Sequence, residues 1–300
     1  METKGLSVIV LLVALVGCYF ASDRKGAGLL EKDANLGLAM VKIDGGRFLM
    51  GGTEEQSPGL SENELPVHEV LVSDFYLSKY EITVSQFAVF VDEANYITDA
   101  EKNGYSWIVS EGAPWSWEKA PGATWQCDES GNRLPRSEYN RAVIHITWQD
   151  ANAFCKWLSK ASGKYYRLPT ESEWEFAARG GNDSRGYLYS GSDIIEEVGW
   201  YGNVAEDSNS EGRVHEVGKL ESNELGIYDM SGNVWEWCSD SYAAYPSSAQ
   251  VNPKRTFGDT FVIRGGGWNI GRKSCRNAER NSIPASQGRS NLGFRVAVEI

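Results

Sequence analysis

Alternating apolar and polar residues follow Val41, and this period of two predicts β-strands over the first part of the chain. The segment VKIDGGRFLMGG predicts two strands joined at a glycine turn, and HEVLVSDFYLSKYEIT continues the same pattern. Three later segments change to the helical spacing of apolar residues. Each helix is expected to begin at a threonine whose capping partner lies three residues later: Thr83 with Gln86, Thr147 with Asp150, and Thr170 with Glu173.

Residues 97–142 lie between the first and second predicted helices, show no clear period and are rich in Pro, Gly and Trp. We expect a packed or functional loop there. Short strands, capped helices and long glycine-rich loops favour an α+β fold with much irregular structure. No internal repeat and no second domain boundary is visible, so residues 39–300 are expected to form a single domain.

The first residues predict export and lipid attachment. Lys4 precedes the apolar run GLSVIVLLVALVG, which is short for a membrane span and long enough for the core of a signal peptide. The run ends in LVGC, which resembles a bacterial lipobox, so residues 1–18 are interpreted as a lipoprotein signal peptide with Cys18 as the lipidated residue. An ordinary signal peptide cut elsewhere is the alternative. Residues 19–38 are polar and contain glycine, as linkers do.

Net charge and composition limit the classes of molecule that this protein is expected to bind. The formal net charge of −12 argues against nucleic acid, which draws its affinity from clustered Lys and Arg. Attachment to a membrane is expected through the lipid anchor, at the outer membrane of a bacterial envelope, with the periplasmic and outward-facing orientations left open. The chain contains 11 Trp and 14 Tyr, a surplus that favours a binding surface in addition to a core.

The cysteines and histidines do not form a zinc pattern. The four cysteines beyond the lipobox show no CxxC spacing; they are Cys127, Cys155, Cys238 and Cys275. Export would permit a disulfide, but the sequence does not reveal which two cysteines would form it. The three histidines are scattered and lack HExxH spacing. We therefore do not expect a zinc hydrolase.

Several ordered motifs carry a family resemblance. They are IDGGRFLMGG, YRLPTESEWEFAARGG, NELGIYDMSGNVWEWCSD, RGGGW and NLGFRVA, which span the chain from about Val41 to its end. Together they resemble the formylglycine-generating enzyme family. The resemblance implies a single domain of the C-type-lectin type with sparse regular secondary structure. Function must still be argued from the site.

The resemblance implies one structural calcium site in YDMSGNVWEW. Its ligands would be the side chains of Asp229 and Glu236 and the backbone carbonyls of Gly232 and Val234. Calcium prefers six to eight oxygen ligands, which a glycine turn between two carboxylates can supply. The alternative is a turn with two solvated acids. A second calcium site of the family does not map onto VGWYGN.

The catalytic pattern of the family is incomplete in this sequence. The enzymes hold copper between two cysteines and carry a serine nearby, and soft thiolates suit Cu(I). Cys275 matches the second cysteine, whereas Ile270 stands at the first and Gly267 stands where the serine is expected. No copper and no catalytic residues are therefore expected. Copper held with the help of a distant cysteine, in an active oxidase of protein cysteines, is the alternative.

Residues 268–290 also resemble the variable region of retroelement-diversified proteins, which use this fold to display contact residues. Asn, Ser and Arg supply adaptable hydrogen bonds in such surfaces. An ordinary loop of an inactive family member is the alternative. The candidate ligand-binding residues are Trp268, Asn269, Ile270, Gly271, Arg272, Ser274, Asn277, Glu279, Asn281, Ser282, Ile283, Ser286 and Ser290.

The sequence thus predicts a non-catalytic, lipid-anchored binding protein. Its ligand is expected to be a protein or another macromolecule, and the chain is expected to be a monomer. Arg276, Arg280 and Arg295 are expected to tie loops together rather than bind an anion. Besides the oxidase, a scaffold component of a secretion or gliding machine is an alternative function.

Overall fold

The computed structural model describes residues 31–33, 36–57, 59–110, 113–202 and 208–300. The predicted signal peptide and Cys18 lie outside these residues. Within the described part of the chain, every helix is too short or too polar to cross a lipid bilayer.

Short strands dominate the regular structure. The longest strand has nine residues, and several have two or three. In chain order they are β1 (Glu31–Asp33), β2 (Leu38–Ile43), β3 (Gly46–Met50), β4 (His68–Val72), β5 (Phe75–Ser78), β6 (Tyr105–Ser110), β7 (Ala113–Pro121), β8 (Tyr166–Arg167), β9 (Trp235–Ser241), β10 (Gln250–Val251), β11 (Thr260–Arg264), β12 (Arg280–Pro284), β13 (Leu292–Gly293) and β14 (Ala297–Glu299).

Three sheets and one separate hairpin hold these strands among the described residues. One sheet has the order β1-β2-β5-β14-β8, a second has β10-β4-β3, and a third has β12-β11-β9-β13. The last strand, β14, pairs with both β5 and β8, so the end of the chain completes the sheet that its beginning starts. The prediction of a linker over residues 19–38 is wrong for Glu31–Asp33, because the backbone of β1 pairs with β2.

The predicted helix starts are confirmed. The hydroxyls of Thr83, Thr147 and Thr170 each accept a hydrogen bond from the backbone N–H three residues later, and each helix has the reciprocal bond of a capping box. Another capping box, at Thr98, begins a short helix that the sequence analysis missed. The helices are α1 (Val84–Ala94), α2 (Asp99–Asn103), α3 (Trp148–Ser162), α4 (Glu171–Ala178) and α5 (Ile195–Val198).

The expectation of a wholly irregular segment over residues 97–142 is wrong. Strands β6 and β7 form a twisted antiparallel hairpin in which Val109 faces Trp117 and Trp107 faces Lys119. The ammonium of Lys119 lies 4.0 Å from the ring centre of Tyr105, a cation–π contact. Aromatic residues on both strands, and the prolines of β7, hide the simple alternation that predicts strands.

The core lies between the helices and the sheets. Phe87, Phe90 and Phe154, on α1 and α3, pack against one another with ring centres 5.3 to 5.9 Å apart. A second cluster surrounds Trp174 and Phe176 of α4, which are at most 1% exposed. The buried faces of the helices therefore join the first sheet to the sheet that contains β9, β11 and β12.

Buried arginine–glutamate pairs connect loops that are distant in sequence. Their guanidinium groups are at most 1% exposed, and each contacts a carboxylate that is at most 9% exposed. This confirms that Arg276, Arg280 and Arg295 tie loops together. We call these pairs the ion-pair frame: Arg264–Glu175, Arg276–Glu64, Arg280–Glu171 and Arg295–Glu236.

Glu175→Gln is expected to reduce the free energy of unfolding by about 3–5 kcal/mol, because it removes the buried negative charge that contacts both Arg264 and Arg179. Glu69→Gln is the matched control. Glu69 pairs with Arg47, and the two side chains are 48% and 61% exposed, respectively. The expected loss of unfolding free energy is therefore about 0–1 kcal/mol. Denaturant unfolding of both variants measures the difference, and equal losses would show that the ion-pair frame does not stabilise the fold.

Candidate functional site

A pocket lies where the sheet of β9, β11, β12 and β13 meets the loop before Cys275. Its volume is about 110 Å³. The floor is largely apolar and at most 5% exposed: Trp235, Ile263, Asn269, Ile270, Ile283, Asn291 and Leu292. The rim consists of Trp117, Ser274, Asn281 and Arg289. We call this the Ile270 pocket.

The strand period of β12 directs its residues to two different environments. Asn281 and Ile283 line the Ile270 pocket. The neighbouring Arg280 instead forms two hydrogen bonds to the carboxylate of Glu171, at 2.7 and 2.8 Å. Because side chains alternate along a strand, the ion-pair frame holds one face of β12 and thereby fixes the other face at the pocket.

A glycine allows the loop before the pocket to fold tightly. Gly266 has φ of 84°, and a Cβ there would lie 2.7 Å from the Sγ atom of Cys275 and 2.6 Å from the carbonyl of Ser274. Only glycine fits this position without a shift of the chain. The turn therefore places Gly267 and Ile270 against the segment that contains Cys275.

Cys275 is the one member of the family's cysteine pair that this sequence retains. Cys275 is fully buried, and burial raises the pKa of its thiol to about 12, so the thiol is protonated at neutral pH. Ile270, at the position of the first family cysteine, has a side chain without a donor atom. The other described cysteines, Cys127, Cys155 and Cys238, are buried free thiols, so no disulfide forms among the described cysteines.

Gly267 is not required by crowding. A Cβ at this position would lie 3.5 Å from Trp235 and 3.6 Å from Asn269 and from the carbonyl of Asn233, which are ordinary contact distances. A serine would therefore fit. The absence of a hydroxyl here is a chemical difference from the family pattern rather than a consequence of packing.

The structure brings together part of the predicted ligand-binding set. Asn269, Ile270, Ser274, Asn281 and Ile283 line the Ile270 pocket. Gly271, Arg272, Glu279, Ser282 and Ser286 do not line it. The guanidinium of Arg272 donates to the Tyr201 hydroxyl at 3.0 Å, and Glu279 accepts from Arg276 at 2.9 Å.

Asn277, Ser290 and Trp268, which are among the predicted ligand-binding residues, lie largely inside the fold, at 1%, 0% and 9% exposed. Asn277 is 1% exposed and donates to the carbonyl of Tyr187 at 3.0 Å, which ties two loops together. Ser290 is fully buried, and its carbonyl accepts from the indole of Trp268 at 2.9 Å. The amide of Asn277 thus satisfies a backbone carbonyl, whereas the hydroxyl of Ser290 is buried without a partner, so polarity alone does not indicate exposure.

Sequence reasoning missed the residues that complete the Ile270 pocket. Trp117 comes from the β6–β7 hairpin, which the sequence analysis expected to be irregular, and Trp235 and Ile263 come from β9 and β11. Arg289 lies within residues 268–290 but outside the predicted contact set. The run of Trp residues near Trp117 is the one sequence signal that could have indicated this wall.

The predicted calcium residues lie in a buried acidic cluster. Asp229 is 3% exposed and Glu236 is fully buried, so the alternative of two solvated acids is wrong. One carboxylate oxygen of Asp229 accepts from Gly218 N–H at 2.7 Å, whereas its Oδ1 is buried without a partner. Burial raises the pKa of Asp229 to about 6. Both oxygens of Glu236 accept hydrogen bonds from Arg295, at 2.6 and 2.7 Å.

Glu81, which the sequence analysis did not single out, belongs to the same cluster. Its Oε2 accepts from Asn233 at 2.8 Å, and its Oε1 is buried without a partner. Burial and the charges of Asp229 and Glu236 raise its pKa well above the usual range. The unpartnered oxygens of Glu81 and Asp229 fit a bound cation. The described side chains form no group of three His, Cys, Asp or Glu residues at metal-binding geometry, so a cation there would also need backbone carbonyls.

Known relatives cover most of the chain. The model of the sulfatase-modifying factor enzyme 1-like domain matches residues 26–300. The formylglycine-generating enzyme of Streptomyces coelicolor is 33% identical over 286 residues, which cover 86% of this chain and 88% of the relative. The inactive C-alpha-formylglycine-generating enzyme 2 of Mus musculus is 30% identical over 283 residues, covering 86% of this chain and 85% of the relative. Enzymes and an inactive protein thus share this domain.

Solved structures confirm the expected fold. PvdO from Pseudomonas aeruginosa superposes with a TM-score of 0.71 at 24% identity, over 92% of this chain and all of the other. Treponema denticola variable protein 1 gives a TM-score of 0.64 at 25% identity, over 88% and 95%. The α+β fold is therefore of the C-type-lectin type expected from the motifs. Matched along nearly its whole length, the chain belongs to the family of sulfatase-modifying factor enzyme 1-like domains, the formylglycine-generating enzyme family.

Proposed function

We propose that this chain is a non-catalytic binding protein that presents the Ile270 pocket and its rim to a protein ligand. The observation that carries the proposal is the pair of residues at the family's copper position. Ile270 offers no lone pair there, which leaves the fully buried Cys275 as the single cysteine of the family pair. Since Cu(I) in this family needs two thiolates, the frame of the site remains while its redox chemistry is lost.

Two relatives support a binding role. An inactive formylglycine-generating enzyme in the mouse shows that this domain also exists without the enzyme activity. A variable protein from Treponema denticola shares the fold over 88% of this chain. Ser274 and Asn281 on the rim are positions where substitutions would change the ligand contacts without disturbing the ion-pair frame. Diversification by a retroelement at the rim remains part of this proposal.

The lipobox-like LVGC supports attachment of the mature protein to the bacterial envelope through Cys18, at the outer membrane. Several acyl chains on one residue give stable anchoring. Cys18→Ser is expected to move the protein from the membrane fraction to the soluble fraction of lysed cells. A variant that stays in the membrane fraction would contradict lipid anchoring at Cys18.

Calcium is proposed as a structural cofactor at Asp229. The site would use the unpartnered Oδ1 of Asp229, the carbonyls of Gly232 and Val234, and Glu236, with Glu81 as an additional carboxylate. A divalent cation would neutralise the carboxylates of Asp229 and Glu81, each of which has one buried oxygen without a donor. Its role would be to fix the turn between Asp229 and β9.

Ile270→Cys is expected to gain one equivalent of high-affinity Cu(I), because it restores the missing first cysteine of the family pair beside Cys275. Competition with a chromophoric Cu(I) chelator measures the uptake. The double variant Ile270→Cys with Cys275→Ser is the control and should lose the gain. The wild-type protein is expected not to compete, and stoichiometric uptake by the wild type would overturn the proposed function.

Calcium is expected to raise the Tm of the wild-type protein relative to an EDTA-treated sample, by an amount that corresponds to about 2.7 kcal/mol at 100 times its Kd. Asp229→Ala should abolish the shift because it removes the unpartnered oxygen. Asp92→Asn, an exposed acid on α1, is the control and should retain it. A wild-type Tm that is identical in calcium and EDTA would contradict the proposed site.

A further inference from the structure

Arg289 places a positively charged side chain on the rim of the Ile270 pocket. The backbone of Arg289 is fixed, because its carbonyl accepts from the N–H of His145 at 2.9 Å and from that of Leu292 at 3.2 Å. Its guanidinium lies over Trp117, 4.6 Å from the ring centre. One terminal nitrogen donates to Gln287 Oε1 at 2.8 Å. The aromatic contact and this hydrogen bond orient the charge at the pocket.

This guanidinium has no carboxylate partner among the described residues. The Nε atom of Arg289 is buried without any hydrogen-bond acceptor. Burial lowers the pKa of Arg289, and no carboxylate opposes that change. In contrast, every arginine of the ion-pair frame contacts a glutamate. A half-buried guanidinium without a carboxylate is costly, and an acidic group in the adjoining pocket would supply the missing opposite charge.

The pocket beside Arg289 has the size of one side chain. Its volume of about 110 Å³ corresponds to roughly four water molecules at ~30 Å³ each. Ile263, Ile283 and Leu292 form an apolar wall, which suits methylene groups. The amide of Asn281 lies on the exposed rim. An occupant with a short aliphatic stem and a negatively charged end matches these surroundings.

We propose that the Ile270 pocket receives an acidic side chain of the protein ligand. Its carboxylate would pair with Arg289, and its aliphatic stem would lie against the apolar wall. This inference rests on the proposed function, because it assumes that the surface binds a polypeptide. An arginine can donate two parallel hydrogen bonds to a carboxylate, which gives geometric selectivity as well as charge. The ligand is thereby defined as a polypeptide with a protruding Glu or Asp.

Titration with N-acetyl-glutamate N-methylamide tests the assignment, with the uncharged glutamine analogue as the comparison probe. The Nε–H resonance of Arg289 in arginine-labelled protein reports binding at the millimolar affinity expected for a single side chain. The glutamate probe should shift this resonance saturably, and the glutamine probe should bind at least about tenfold more weakly, as loss of a charged hydrogen bond implies. Equal affinities for the two probes would overturn the proposal.

Variants separate the pocket from the general surface. Arg289→Gln should weaken the glutamate probe about tenfold or more, followed through the backbone amides of the pocket, and Arg289→Lys should restore part of the affinity. Arg213→Gln, at a side chain that is 51% exposed, is the matched control and should bind like the wild type. Backbone spectra verify that each variant is folded. Unchanged affinity in Arg289→Gln would overturn the proposal.

Two further outcomes are distinguishable. Inorganic phosphate that binds as tightly as the glutamate probe would show an adventitious anion site, because the apolar wall would then contribute nothing. The copper titration of the wild type tests the proposed function independently. If the wild type does not distinguish the glutamate probe from the glutamine probe and takes up no copper, only this inference is contradicted. If it distinguishes the probes but takes up copper, only the non-catalytic assignment is contradicted.

Discussion

Charge pairing inside the protein is the constraint on which the rest of this structure depends. Most strands are short, and long loops connect them, so regular hydrogen bonding alone does not hold the fold. Arg264, Arg276, Arg280 and Arg295 instead bind glutamates from other segments while remaining at most 1% exposed. A buried pair is costly to assemble and costly to break by removing one partner. The relative positions of the loops are consequently fixed.

Residues of the ion-pair frame and residues of the Ile270 pocket lie on opposite faces of β12. Arg280 directs β12 to Glu171, and the neighbouring Asn281 and Ile283 then reach the Ile270 pocket. Substitutions at the rim leave these pairs intact, which is why the domain can keep its architecture while its chemistry changes. Enzymes, an inactive relative and a variable protein on one fold are consistent with this separation of frame and site.

The sequence predicted what depends on local spacing. The capping boxes at Thr83, Thr147 and Thr170 involve residues three apart, and all are present. The hairpin that carries Trp117, and the lack of a described carboxylate beside Arg289, depend on contacts between distant segments, so no local pattern revealed them. The resemblance to variable regions predicts Asn277 as a ligand contact, yet its amide ties two loops together inside the fold. Family motifs supplied the fold itself.

The measurement that tests the account most directly is mass spectrometry of a cysteine-containing peptide incubated with copper-treated wild-type protein and oxygen. The peptide cysteine is expected to remain unmodified throughout the incubation, because Ile270 stands where the family has a copper ligand. Conversion of the cysteine to formylglycine, dependent on the protein and on Cys275, would contradict the central claim that this site binds without chemistry.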